Sequence, residues 1–204
     1  MMIRSYEEMS VGLFMEVCDV IGGTDDPMER NTALVALLSG MSEDEVLDLP
    51  LNEFREMTGA LSFLEKEPPV RRVADTYRIG GYTLELLADM TKMTAGQYID
   101  YAELMKKPDE NLVRLLSVVL VPKGKKYNQD YDILDVQKAI REGLGICDAR
   151  AITAFFLHLL KALTKATATS LRRRLKRMMR RERNPEHVRM MEEAVLLLER
   201  SGVI

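Results

Sequence analysis

The chain has no tryptophan, two histidines and two cysteines, and aromatic residues make up only 6% of it. Each shortage removes a class of chemistry. With so few rings, a surface that stacks bases or sugars is not a theme. Cys18 and Cys147 lie far apart, and neither has a cysteine or histidine partner at metal-ligand spacing. A zinc site is therefore not expected, and both read as reduced, small core residues of an intracellular protein. His158 falls in the apolar stretch AFFLHLL and reads as a hydrogen-bonded structural histidine, while His187 sits among charges and reads as solvated. No apolar run reaches the ~20 residues needed to cross a bilayer. The first residues, MMIRSYEEMSVGLFMEV, mix acids with apolar side chains and lack a basic leader segment, so neither a signal peptide nor a membrane partner is expected.

Catalytic patterns are missing too. There is no G-x-S-x-G and no pair of carboxylates in an apolar setting. Lys123-Gly124-Lys125-Lys126 follows an apolar run but lacks the spacing and the Ser/Thr of a phosphate-binding loop. The run from Asn128 to Asp135 looks like a calcium loop until Ile133 appears where the turn glycine belongs and Ala139 where the bidentate Glu belongs. Asp132 is better read as a helix cap. No catalytic residue, metal ligand or cofactor is nominated, and the expectation is a protein without enzymatic activity.

What the chain does have is charge, sorted by position. Residues 1–70 hold 4 Lys/Arg against 15 Asp/Glu, residues 71–150 hold 13 against 12, and residues 151–204 hold 12 against 5. An acidic front and a basic rear favour head-to-tail contact, or else two separately solvated faces. The basic excess is concentrated in LRRRLKRMMRRER, residues 171–183. Such a segment cannot be a buried core helix. Wound as a helix, Leu171, Leu175, Met178 and Met179 form an apolar stripe. Arg172, Arg173, Arg174, Lys176, Arg177, Arg180, Arg181 and Arg183 cover the rest. This pattern suits a nucleic-acid backbone, an acidic protein surface or an anionic membrane, or else a solvated helix face or one docked on the acidic N-terminal region. No base-reading motif accompanies it, so nucleic-acid binding would be independent of sequence. Methionine is abundant, with 14 residues. Its unbranched, polarisable side chain serves both as core filler and as an adaptable contact surface. Met178, Met179, Met190 and Met191 are the candidates for partner contact.

The order of structural signals is mainly helical. Ser5–Val20 reads as a first helix stopped by Gly22-Gly23. Asp26-Pro27 opens a second, ended by Gly40, with Leu34, Val35, Leu37 and Leu38 facing a core. Ser42–Glu45 is a capping box for a short helix, and Pro50 starts another. A β-hairpin is expected over about 72–87, turning at Gly80-Gly81 with Tyr77, Ile79, Tyr82, Leu84 and Leu86 on one face. It is the only strong strand signal. Thr94–Gln97 caps a helix to Lys107, and another covers Glu110–Leu120. A polar loop precedes Asp132, which caps a helix to about Glu142. Asp148 begins a long helix reaching about Arg183, and Pro185–Arg200 forms the last. The expected organisation is a helical globular domain with a hairpin over 1–160 and a basic helical arm over 161–204.

Three blocks carry a resemblance. YRIGGYTLELLADMTKMTAGQYIDYAELMKK, LLSVVLVPKGKKYNQDYDILDV and AITAFFLHLL together resemble small helical proteins from the structural gene clusters of tailed bacteriophages, of the kind assigned as tail assembly chaperones. The resemblance spans roughly Tyr77–Leu160 and does not include the basic arm. It implies a protein of the bacterial host cytoplasm that coats the long helical tape-measure protein by surface contact and tends to self-associate. The unmatched arm leaves open a structural virion component instead.

Overall fold

The structure is a computed structural model that describes residues 2–89, 92–108, 110–179, 189–193 and 195–196, with side chains left aside over 160–171. The fold is mainly helical with one small antiparallel sheet, as the sequence pattern predicts. By its internal contacts the chain divides into two compact units, Met1–Thr153 and Ala154–Ile204.

In the first unit, a 3-10 turn at Tyr6–Glu8 leads to α1 (Val11–Gly23). The expected single helix from Ser5 is interrupted here. Ser10 pairs with Gly145 in an antiparallel bridge. Val11 N–H donates to the Leu144 carbonyl at 2.9 Å, and Ile146 N–H donates to the Met9 carbonyl at 3.0 Å. A partner more than 130 positions away thus claims the backbone that local periodicity assigns to a helix. Ser10 then becomes the cap of α1, its hydroxyl accepting from Leu13 N–H at 3.2 Å. The helix also continues through Gly22 and Gly23 instead of stopping at Val20.

α2 (Pro27–Ser39) begins as expected, with the Asp26 carboxylate accepting from Met28 N–H at 2.8 Å. It buries Leu34, Val35 and Leu38, while Leu37 is only half-buried. The short α3 (Glu43–Leu47) carries the expected Ser42/Glu45 capping box. α4 (Leu51–Ala60) passes into a 3-10 turn over Leu61–Glu65.

The hairpin is real but shorter than expected: β1 (Thr76–Ile79) and β2 (Tyr82–Leu86) pair with Ile79 opposite Tyr82. Gly80 and Gly81 turn the chain with φ of +54° and +80°, the left-handed pair that a two-residue hairpin turn of the primed type requires. Tyr77 and Leu84 face each other and are both buried. A third strand, not expected from the sequence pattern, joins the hairpin. β3 (Leu120–Pro122) lies antiparallel to β2, with Leu86 opposite Leu120. It is hidden because LLSVVLV looks like continuing helix. Pro122 decides the matter: a residue before proline is driven toward extended backbone, and proline lacks a donor to extend the helix. The third strand also gives a marginal two-stranded ribbon the partner it needs.

α5 (Ala95–Leu104) starts at the expected Thr94/Gln97 capping box, and α6 (Leu112–Val119) follows. Gln97 is 4% exposed, and its Nε2 donates to the Val118 carbonyl at 2.7 Å. In a continuing helix that carbonyl would accept from residue 122, which is proline. The buried amide of α5 therefore satisfies an orphan acceptor at the end of α6. α7 (Ile133–Gly143) is capped by Asp132, whose carboxylate accepts from Leu134 N–H at 2.8 Å. α8 (Ile146–Met179) starts two residues before the expected Asp148. Leu115, Leu116, Val136, Ile140 and Ile152 are among the buried core residues of this unit. Gly12 has no room for a side chain, since a Cβ there would lie 2.7 Å from Arg141 Cγ. The two cysteines are not joined. Cys147 is buried as expected, but Cys18 is exposed, on the solvent side of α1, not in the core.

The second unit begins at Ala154 within α8. Phe155 and Phe156 meet edge to face at 5.5 Å, and Phe156 and Val195 are buried. Residues 189–193 and 195–196 are helical, inside the expected last helix. His158 is exposed, so it is not the structural histidine its apolar neighbours implied. Two residues from Phe156 is about 200° around the helix, the opposite face. Among the described residues, no helix is long and apolar enough to cross a membrane.

Candidate functional site

The basic segment is where the sequence places the site, and the described part of it is helical through Met179. Good helix formers fill it, with no glycine or proline until Pro185. Arg173, Arg174, Lys176 and Arg177 are exposed, while Arg172 is half-buried. Leu175 and Met179 are half-buried and Met178 is 49% exposed. The described stretch therefore presents four cations to solvent around an incompletely covered apolar stripe. Arg180, Arg181, Arg183 and His187 lie outside the described residues, as does the Leu171 side chain. Met190 is 61% exposed and Met191 is half-buried.

The first unit carries a surface of opposite character that the sequence reading did not single out. Glu43, Asp44, Glu45, Asp48 and Glu53 are all exposed along α3, its following turn and the start of α4. Between them Leu47 and Leu51 stand 67% and 61% exposed. The capping box fixes the first turn. The Ser42 backbone N–H and hydroxyl donate to Glu45 at 2.7 and 2.9 Å, and these bonds hold the Glu45 carboxyl below its usual range. Two exposed leucines four positions apart, flanked by acids, were the available signal. A five-residue helix cannot bury both its faces.

The loop between β3 and α7 is ordered by its tyrosines. Tyr127 donates to the Asp100 carboxylate at 2.9 Å, and Tyr131 Oη accepts from Asn128 N–H at 3.0 Å. Burial, the Asp100 hydrogen bond and its charge all push the Tyr127 hydroxyl well above the usual tyrosine range. Asn128 and Asp130 adopt positive φ, a conformation these residue types tolerate. Asp132 is spent on capping α7, so the calcium-like run behaves as a turn and cap. Among the described residues, no group of three His, Cys, Asp or Glu side chains is placed to hold a metal ion.

Together these features define a class: a mainly helical protein with a small sheet, an acidic leucine-bearing surface on one unit and a basic methionine-bearing helix on the other. No family model matches the chain, and neither a curated protein nor a solved structure does.

Proposed function

We propose that this is a non-enzymatic bacteriophage protein that works by protein–protein contact during virion assembly, as a tail assembly chaperone. The observation that carries the reading is the exposed helical face of Arg173, Arg174, Lys176, Arg177 and Met178. Cations around an adaptable apolar strip suit reversible binding to a helical, acid-bearing partner. The acidic surface around Leu47 and Leu51 offers a second, complementary contact for a long partner or for self-association. The likeness of residues 77–160 to phage tail chaperones names that partner as the tape-measure protein, in the bacterial host cytoplasm. Co-expression tests this: the tape-measure protein becomes soluble and co-purifies with this chain at fixed stoichiometry. Absence of a complex, with the tape-measure protein still insoluble, removes the reading.

The four exposed cations also favour a second reading, sequence-independent nucleic-acid binding. It requires a salt-sensitive gel shift of DNA or RNA that charge reversal at Arg173, Arg174 and Arg177 abolishes. A shift that survives the reversal eliminates it. A structural virion component is separated from a chaperone by mass spectrometry of finished particles, which retain the first and lack the second.

A further inference from the structure

The lysine-rich loop that fails as a phosphate-binding motif in sequence becomes a cavity wall in three dimensions. β3 ends at Pro122, and a tight turn follows, with Lys125 N–H donating to the Pro122 carbonyl at 2.9 Å. Gly124, at φ of +74°, permits that turn. The turn swings Lys125 and Lys126 to the edge of a cavity of about 270 Å³. Lys92 reaches the same cavity from the segment before α5. Thr94 and Gln97, in the first turn of α5, complete that side, so the partial positive charge of a helix start adds to the same field. Leu86, Val121 and Pro122 supply an apolar floor.

The charge balance is what singles out this place. Among the described residues, none of Lys92, Lys125 and Lys126 is paired with a carboxylate. The single acid in the wall, Glu85, instead lies 3.7 Å from Lys123 Nζ. Three exposed lysines without a described carboxylate partner thus line one concavity, in a unit whose sequence is acidic. Like charges brought together without partners repel, and an anion relieves that repulsion.

We propose that this cavity binds a compact phosphate-bearing ligand. A volume of about 270 Å³ takes a short polyphosphate or a small phosphorylated molecule. It does not provide the extended groove that tracks a nucleic-acid backbone. The apolar residues of the lining, with Tyr127 beside them, accept the non-phosphate part of such a ligand. This cavity shares no residue with the surfaces invoked for partner binding, and the proposal stands or falls independently of them.

Isothermal titration of the full chain with inorganic tripolyphosphate at low salt tests the proposal. Saturable one-to-one binding with Kd below about 1 mM is expected, weakened about tenfold or more in K92Q/K125Q/K126Q. The variant R173Q/R174Q/R177Q separates this cavity from the basic helix, and it retains the affinity. Amide chemical shifts should move at Lys125, Lys126 and Tyr127. Three results overturn the proposal: no saturable binding up to about 10 mM, binding lost in the arginine variant and kept in the lysine variant, or a single-stranded oligonucleotide that binds through the three lysines more tightly than tripolyphosphate.

Discussion

Replacing Gly80 with alanine tests how the sheet is seated on the helices. Gly80 and Gly81 form one turn and both have positive φ, so alanine at either costs about 1–2 kcal/mol of backbone strain. Their surroundings differ. A Cβ at Gly80 would lie 2.5 Å from Ala139 Cβ and 3.2 Å from Ala139 Cα, whereas one at Gly81 meets nothing within 4 Å. Ala139 is buried on α7, so backbone there must shift, at a further cost of about 1–3 kcal/mol. Gly80→Ala should therefore destabilise by about 3 kcal/mol and Gly81→Ala by about 1 kcal/mol. For a protein of this size that is a fall in Tm of about 9 °C against about 3 °C. Thermal and urea unfolding followed by far-ultraviolet circular dichroism reads both. Adding Ala139→Gly removes the nearest atom, so the double variant should be more stable than the two single effects sum to. Equal losses for the two glycine variants, with no coupling to position 139, would refute the seating of the hairpin tip against α7.

Other outcomes follow from the same packing. Gln97→Ala leaves the Val118 carbonyl without its donor beside Pro122, and unfolding should show a loss of about 1–3 kcal/mol. An unchanged midpoint would mean that another donor serves that carbonyl. Burial raises the hydroxyls of Tyr6, Tyr77, Tyr101, Tyr127 and Tyr131 above their ordinary value. Their stabilising effect is therefore full below the unfolded tyrosine pKa of about 10 and is lost as pH rises from there through the folded values. Stability measured against pH should fall above about pH 10, and Tyr127→Phe should flatten that fall. An identical slope in the variant would show that Tyr127 is not among the groups responsible.

The sequence exposes local chemistry well and distant pairing poorly. Asp26-Pro27, the Ser42/Glu45 and Thr94/Gln97 boxes and the Asp132 cap are all short-range, and each appears where its residues announce it. The Gly-Gly turn is equally local. The Ser10–Gly145 bridge and the pairing of β3 with β2 depend on partners remote in sequence. The first splits an expected helix, and the second turns the end of one into a strand. Exposure is subtler still. Cys18 and His158 have apolar neighbours in sequence, yet helical rotation carries both to solvent. The basic character of residues 171–183 is legible because it is local, eight cations in thirteen residues. The Leu47/Leu51 surface shows in sequence only as two leucines four positions apart among acids, and the lysine-lined cavity does not show at all, because it needs elements folded together before it exists.

The most direct test of the proposed function is whether this chain forms a complex with a tape-measure protein, its mass measured by light scattering at low and high salt. A stoichiometric complex is expected at low salt, dissociating as salt rises and not forming with R173E/R174E/R177E. A complex of unchanged mass and salt response in that variant would contradict the assignment of the C-terminal helix as the holding surface.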